Sequence, residues 1–191
     1  MVHVHLRSAG VIAAVLGLSC ATRAGVLSSP IVNPSNGHTY QLLTSSTWAT
    51  AETTAAALGG HLATIRNADE QQWVFSTFGN FNGVQRLLWI GLNDIAVEGQ
   101  FRWTSGEPVT YTNFEGGEPN DAGGNEDFVA MYYPGYHSPG VWNDWNDRTG
   151  DPIGVPFAGV AEFVPEPGTA LLLIPALAWM GVRPRRAGVR R

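Results

Sequence analysis

The chain has 191 residues, 44% of them hydrophobic and only 14% charged, with 23 glycines, 12 prolines and seven tryptophans. That length and apolar share suit one folded domain with end segments, and they exclude a collagen, a coiled coil and a disordered acidic tail. All 11 basic residues are arginine, and the formal charge of −5 conceals a body, residues 25–164, with four arginines against 15 carboxylates. Such a body repels phosphate backbones, which excludes nucleic acid as a partner, and it attracts cations.

Residues 1–24 read as a secretory signal peptide. His3, His5 and Arg7 precede the apolar run Val11–Leu18, and small residues follow, with cleavage after Ala21 or Ala24. The single cysteine, Cys20, falls at this boundary, and Gly17 stands where a lipoprotein signal carries leucine. The exported domain therefore has no disulfide, and something else must restrain its loops. Tyr40–Leu43 predicts a short strand. Thr47 caps a helix over Trp48–Leu58, where Trp48, Ala51, Ala55 and Leu58 recur at helical spacing, and Gly59-Gly60 ends it. His61–Ile65 is extended. Asn67 with Glu70 predicts a capping box ahead of a second helix through Phe78. Leu88–Leu92 is a buried strand, and Phe101–Trp103, Phe128–Tyr132 and Gly159–Phe163 are three more. Trp48, Trp73, Trp89 and Trp103 are expected in the core. Two helices followed by short strands and long loops make an α+β fold, and the loops 107–127 and 134–156 are long enough to suggest function.

The chain closes with Pro165-Glu166-Pro167, then 13 apolar residues, Ala170–Val182, broken by Pro175, then an arginine-rich end. The apolar stretch falls short of the roughly 20 residues a bilayer-spanning helix needs, so membrane association is expected only transiently, through the terminal signals. In tripartite order this tail, residues 164–191, resembles the PEP-CTERM protein-sorting signal of Gram-negative bacteria. The resemblance implies an exosortase-type processing partner and a destination at the outer surface or in the extracellular matrix.

Eleven of the 15 body carboxylates fall between Asp94 and Asp151. Glu118-Pro119-Asn120-Asp121 is followed five residues later by Glu126-Asp127; Asp94 and Glu98 lie upstream, Asn143 and Asp144 downstream. All are oxygen donors. Ca2+ takes about six to eight oxygens in irregular cages, whereas zinc would want the histidine or cysteine spacing that His38, His61 and His137 do not show. Aspartate, asparagine and glycine also form ordinary solvated turns, which is the alternative reading of the same loop. An EF-hand does not fit, because from Asp144 its glycine would fall on Thr149 and its closing glutamate on Val155. A hydrolase is not expected: no carboxylate pair lies in an apolar setting that would raise one pKa, and no nucleophile elbow, phosphate loop or dinucleotide fingerprint is present.

Across residues 38–163 the chain resembles the C-type lectin-like domain. Trp89-Ile90-Gly91-Leu92 stands at that family's Trp-Ile-Gly-Leu strand, Glu118-Pro119-Asn120 at its sugar-binding motif, Glu126 eight residues later, and Trp142-Asn143-Asp144 at its Trp-Asn-Asp motif. The resemblance implies a principal Ca2+ site of Glu118, Asn120, Glu126, Asn143 and Asp144. It implies an auxiliary site of Asp94, Glu98, Asp121, Glu126 and Asp127, and a cis Glu118–Pro119 bond. Glu118, Asn120, Glu126 and Asn143 would also contact sugar, with the Glu-Pro-Asn order resembling mannose-, glucose- and fucose-type binders. The family's disulfides are absent, so calcium, hydrogen bonds and aromatic packing must hold the loop. The Trp-Asn-Asp motif is doubled; the first copy is preferred over Asn146 with Asp147, which suit a turn cap. The expected activity is non-enzymatic carbohydrate binding, and the alternative is a calcium-stabilised surface protein that binds proteins and no sugar.

Overall fold

The computed structural model describes residues 25–165. The expected signal peptide and the sorting tail beyond Pro165 lie outside the described residues.

The chain order is β1 (Ile31–Val32), β2 (Thr39–Ser45), α1 (Trp48–Ala57), β3 (His61–Leu62), α2 (Ala68–Phe78), β4 (Leu87–Asn93), β5 (Arg102–Trp103), β6 (Phe128–Met131), β7 (Trp142–Trp145) and β8 (Phe157–Phe163). This is the expected α+β class. The strands form one sheet in the order β1-β2-β8-β4-β6-β7, with β3 added on β8 and β5 on β4. Every pairing is antiparallel except β4 with β8, where Leu88 stands beside Ala158. The last strand of the domain thus lies at the centre of the sheet, directly beside β2, and ties the two ends of the domain together.

The sheet separates two apolar layers, and β4 feeds both because side chains alternate along a strand. Leu88, Ile90 and Leu92 enter one layer with Ile65, Val74, Phe78, Trp103, Val129 and Trp142. Leu87 and Trp89 enter the other with Leu43, Trp48, Ala51, Ala55, Leu62 and Phe157. Gly91 interrupts this alternation because a Cβ there would lie 2.6 Å from the Leu62 carbonyl oxygen and 2.7 Å from Thr104 Oγ1. Trp48, Trp89 and Trp103 are buried as expected. Trp73 is half-buried and packs on the core from its edge.

Both helices start where the caps were read. Thr47 accepts from the Thr50 N–H, and Asn67 accepts from the Glu70 N–H. The capping box at α2 is only half formed. Glu70 does not return to the Asn67 N–H; its Oε2 accepts from the Arg66 N–H at 2.8 Å instead, because the carboxylate faces a buried ionic cluster. Strand β1, two residues long, carries no periodicity by which it could be recognised, and strand β7 hides behind the polar letters of its own motif.

Candidate functional site

Long irregular loops need anchors, and the described residues contain no cysteine. Trp142, fully buried on β7, is the anchor here. Its backbone N–H donates to Asn113 O at 2.8 Å, and its carbonyl accepts from the Glu115 N–H at 2.9 Å, so the 107–127 loop runs alongside β7. Trp103, Tyr111 and Phe114 meet the Trp142 ring edge-on at centroid distances of 6.0, 5.7 and 5.7 Å. Gln71 on α2 accepts from the Trp142 indole N–H and donates to Gly140 O, both at 2.7 Å. Hydrogen bonds and aromatic packing thus hold the loop, as the sequence required in the absence of disulfides.

Asn143 and Asp144 follow on the same strand, both buried. Asp144 Oδ2 accepts from the Asn120 N–H at 3.1 Å and from the Asp121 N–H at 2.8 Å. These bonds pin the Glu118–Asn120 segment over β7, with the Glu118–Pro119 peptide bond cis. Glu126 closes the turn, accepting from the Ala122 N–H at 2.8 Å, while its own N–H donates to Asp121 Oδ1 at 3.0 Å. Asp121 takes a left-handed backbone conformation (φ 45°) there, which aspartate tolerates better than most residues. The loop therefore brings Glu118, Asn120, Asp121 and Glu126 against Asp144, with Asn143 next to it on β7.

A second group adjoins the first. Asp94, at the end of β4, is buried with Oδ2 accepting from the Gly99 N–H at 2.8 Å. Ligand oxygens of Asp94, Glu98 and Asp127 lie within 4.8 Å of one another. Asp121 lies close enough for its charge to act on Glu98, and Asp144 for its charge to act on Asp94.

The electrostatics are those of crowded anions. Burial, then the charges of Asp144, Glu126 and Glu115, push the Glu118 carboxyl above its ordinary pKa. Glu126 is raised by burial and Asp144 despite the Ala122 bond and the Arg148 charge, which act downward. Asp94 is raised by burial first. The sequence predicts no carboxylate pair in an apolar setting that would raise one pKa; burial among other carboxylates nevertheless raises Glu118, Glu126 and Asp94, because the fold desolvates each of them. Three oxygens carry the diagnosis further: Glu118 Oε2, Asn143 Oδ1 and Asp94 Oδ1 are buried with no hydrogen-bond partner. Buried acceptors left unsatisfied cost about 1–3 kcal/mol each, more when charged. A hard cation taking oxygen ligands would satisfy all three, so the residues present fit Ca2+.

The second Trp-Asn-Asp copy has other partners. Asp147 Oδ1 accepts from the Ala49 N–H at the start of α1, and Asn146 Oδ1 accepts from Arg148 Nε. Trp145 packs edge-on against Phe157 and carries the Arg148 guanidinium over its ring.

Two further clusters went unnoticed in the sequence. In the first, Arg66 Nη1 donates to Glu70 Oε1 at 2.9 Å and to Glu162 Oε1 at 2.8 Å, and its other nitrogens hold Glu107. Tyr40 donates to Glu70, His38 Nδ1 lies 2.6 Å from Glu162 Oε1, and the Thr64 N–H donates to Glu162 Oε2. His38, Glu70 and Glu162 are close enough to share an ion, but Arg66 and Tyr40 already occupy the oxygens that would bind it. The cluster is a structural ion network. Its one sequence signal was a glutamate inside the otherwise apolar strand 159–163. The second cluster joins Glu115 of the loop to Tyr136 and His137.

The family model described as Lectin C-type domain matches residues 44–153. Over 97 residues the chain is 36% identical to the low affinity immunoglobulin epsilon Fc receptor of Mus musculus, a match covering 51% of this chain and 26% of that relative. The chain thus spans about a quarter of the length of that curated relative. Among solved structures it is similar to the C-type lectin CEL-I from Cucumaria echinata, with 27% identity and a TM-score of 0.58 over 68% of this chain and 91% of that one. It is also similar to the cow C-type carbohydrate-recognition domain of CD23, determined in the presence of a GlcNAc2Man3 oligosaccharide. There the identity is 29% and the TM-score 0.55, over 68% and 89% of the two chains.

Proposed function

The chain belongs to the C-type lectin domain family, and from that premise we propose that residues 25–163 form an exported, calcium-dependent carbohydrate-binding domain of mannose, glucose or fucose type. The observation that carries this reading is the pair of buried, partnerless oxygens, Glu118 Oε2 and Asn143 Oδ1, beside the desolvated Asp144. Glu118, Asn120, Glu126, Asn143 and Asp144 would hold the principal ion, and Asp94, Glu98, Asp121, Glu126 and Asp127 an auxiliary one. Bound there, Ca2+ supplies coordination positions at which two neighbouring sugar hydroxyls exchange for water. The carboxylates of Glu118 and Glu126 accept hydrogen bonds from those hydroxyls, and the amides of Asn120 and Asn143 donate to them. In this reading the domain binds its ligand without a covalent step.

The terminal segments complete the proposal. Residues 1–24 direct export, and residues 164–191 are a PEP-CTERM tail for an exosortase-type enzyme, delivering the domain to the outer surface or extracellular matrix of a Gram-negative bacterium. Among the described residues no helix is long and apolar enough to cross a membrane.

Calorimetry of the purified chain titrated with Ca2+, then with mannose and galactose, tests the reading. Calcium binding followed by a mannose signal that EDTA removes is the expected result. Absence of calcium binding would overturn it. Calcium binding with no sugar signal at millimolar concentration would favour a second reading, a calcium-stabilised surface protein with protein partners, for which the receptor name of the mouse relative is the motive.

Two substitution series sharpen the residue assignments. Glu118→Gln with Asn120→Asp exchanges the acceptor and donor flanking Pro119, and should shift the mannose-to-galactose ratio by about tenfold toward galactose. A competition assay with calcium still bound reads it, and an unchanged ranking rejects the assignment. Asp147→Ala should cost about 0.5 kcal/mol, through the lost contact at the start of α1, and leave calcium affinity unchanged. Loss of calcium affinity in that variant would transfer the ligand role to the second motif copy.

A further inference from the structure

The connection between β6 and β7 carries an aromatic stack that the calcium site does not use. Tyr132 and Tyr136 lie parallel, with ring centroids 3.6 Å apart and an interplanar angle of 6°. The His137 ring continues the stack from Tyr136 at 4.1 Å, tilted by 41°. One carboxylate fastens the outer end: Glu115 Oε2 accepts from the Tyr136 hydroxyl at 3.1 Å, and Glu115 Oε1 lies 2.7 Å from His137 Nε2. Two turns fix the backbone, with the Tyr136 N–H on Tyr133 O at 3.0 Å and the Gly140 N–H on Tyr132 O at 3.1 Å.

His137 is nevertheless 69% exposed. An exposed ring normally loses rotamer freedom when a ligand immobilises it, whereas this one is held in advance by Tyr136 and Glu115. Its position is tied to the candidate sugar site. The Glu118 N–H donates to Glu115 O at 3.0 Å, so the residue that fastens the stack also sets the backbone leading into Glu118. Glu115 therefore bridges the two: its side chain holds Tyr136 and His137 while its carbonyl holds the Glu118 N–H.

We propose that His137, backed by Tyr136 and held by Glu115, is a second sugar subsite that stacks the apolar face of the pyranose next to the one seated at Glu118 and Asn143. The proposal rests on the lectin reading and deepens it. The domain then prefers an oligosaccharide over a monosaccharide, and it does so through a ring that touches no calcium ligand. Flat, preorganised aromatic surface suits the C–H face of a hexose, while a protein surface would need a wider apolar area than this single ring provides.

The test compares methyl α-mannoside with α-1,2- and α-1,3-linked mannobiose in saturating Ca2+, by calorimetry, for the wild-type chain, His137→Ala and His137→Phe. The wild type should bind at least one mannobiose about three- to tenfold tighter than the monosaccharide. His137→Ala should erase that gain and leave monosaccharide affinity within twofold, and His137→Phe should retain it. Monosaccharide binding with no disaccharide gain, or with a gain that survives His137→Ala, overturns the subsite and leaves the lectin reading intact. Calcium binding without affinity for any of these sugars overturns the lectin reading and the subsite with it.

Discussion

Arg66→Met should lower the folding stability of the domain by about 3–5 kcal/mol, read as the midpoint and extrapolated free energy of urea denaturation. The reason is asymmetry. Glu70 and Glu162 are 2% and 0% exposed, and Arg66 is the cation that neutralises both. Removing it leaves two carboxylates within reach of one another in a desolvated site, where Tyr40 and His38 cannot replace a permanent charge. Glu107→Gln is the contrasting variant. Its carboxylate also binds Arg66 but is 38% exposed, so water compensates and the loss should stay below about 1 kcal/mol. The Arg66 guanidinium, through its hydrogen bond and charge, holds the Glu107 carboxyl below its ordinary pKa. The stability this pairing contributes is therefore present above the unfolded-state pKa and is lost as pH falls through the folded one. Equal losses for the two variants would show that burial does not decide the effect and would overturn the assignment.

That network also shows where sequence reading stops. Helices α1 and α2, their caps and the buried strand β4 were legible because each is written locally, in apolar spacing and a capping residue. The loop carboxylates were legible because oxygen donors stand at short separations along the chain, and the fold brings Glu118, Asp121 and Glu126 together against Asp144. Arg66 and Glu162 are separated by 96 positions, and His38 and Glu162 by 124. No local pattern links them, and only the pairing of β8 with both β2 and β3 makes them neighbours. The half-formed capping box is partly local in origin: Glu70 Oε2 takes the N–H of Arg66, one residue before the cap, while its Oε1 is held by Arg66 Nη1 and by the remote Tyr40. In the sequence, the spacing of His137 excludes a zinc site and points to nothing else. Its role depends on Glu115, 22 residues earlier, reaching across from the loop.

The second large effect concerns calcium. With free Ca2+ at about 100 times its dissociation constant, the domain should gain about 2.7 kcal/mol at pH 7, seen as a higher melting midpoint that EDTA reverses. Asp144→Asn should abolish the gain, because Asp144 both anchors the Asn120 and Asp121 backbone and faces Glu118. The pH dependence has a definite sign. Without the ion, the folded-state pKa values of Glu118, Glu126 and Asp94 are raised, first by burial. For a carboxyl raised on folding, the stabilising contribution is complete below the unfolded-state pKa and is lost as pH rises through the folded value. The ion-free loop is thus at a growing disadvantage as pH rises, and a cation can offset the repulsion among its carboxylates. Protons and Ca2+ compete for the same oxygens, so the calcium-induced rise in midpoint should shrink between pH 7 and about pH 5. The opposite sign at Glu107 separates the ion network from the carboxylate cluster in one experiment. Acidification weakens the Arg66 network whether or not calcium is present, but it narrows the difference between calcium and EDTA only through the loop. A midpoint indifferent to EDTA at pH 7, or a calcium gain that grows on acidification, would reject calcium as the occupant of the loop.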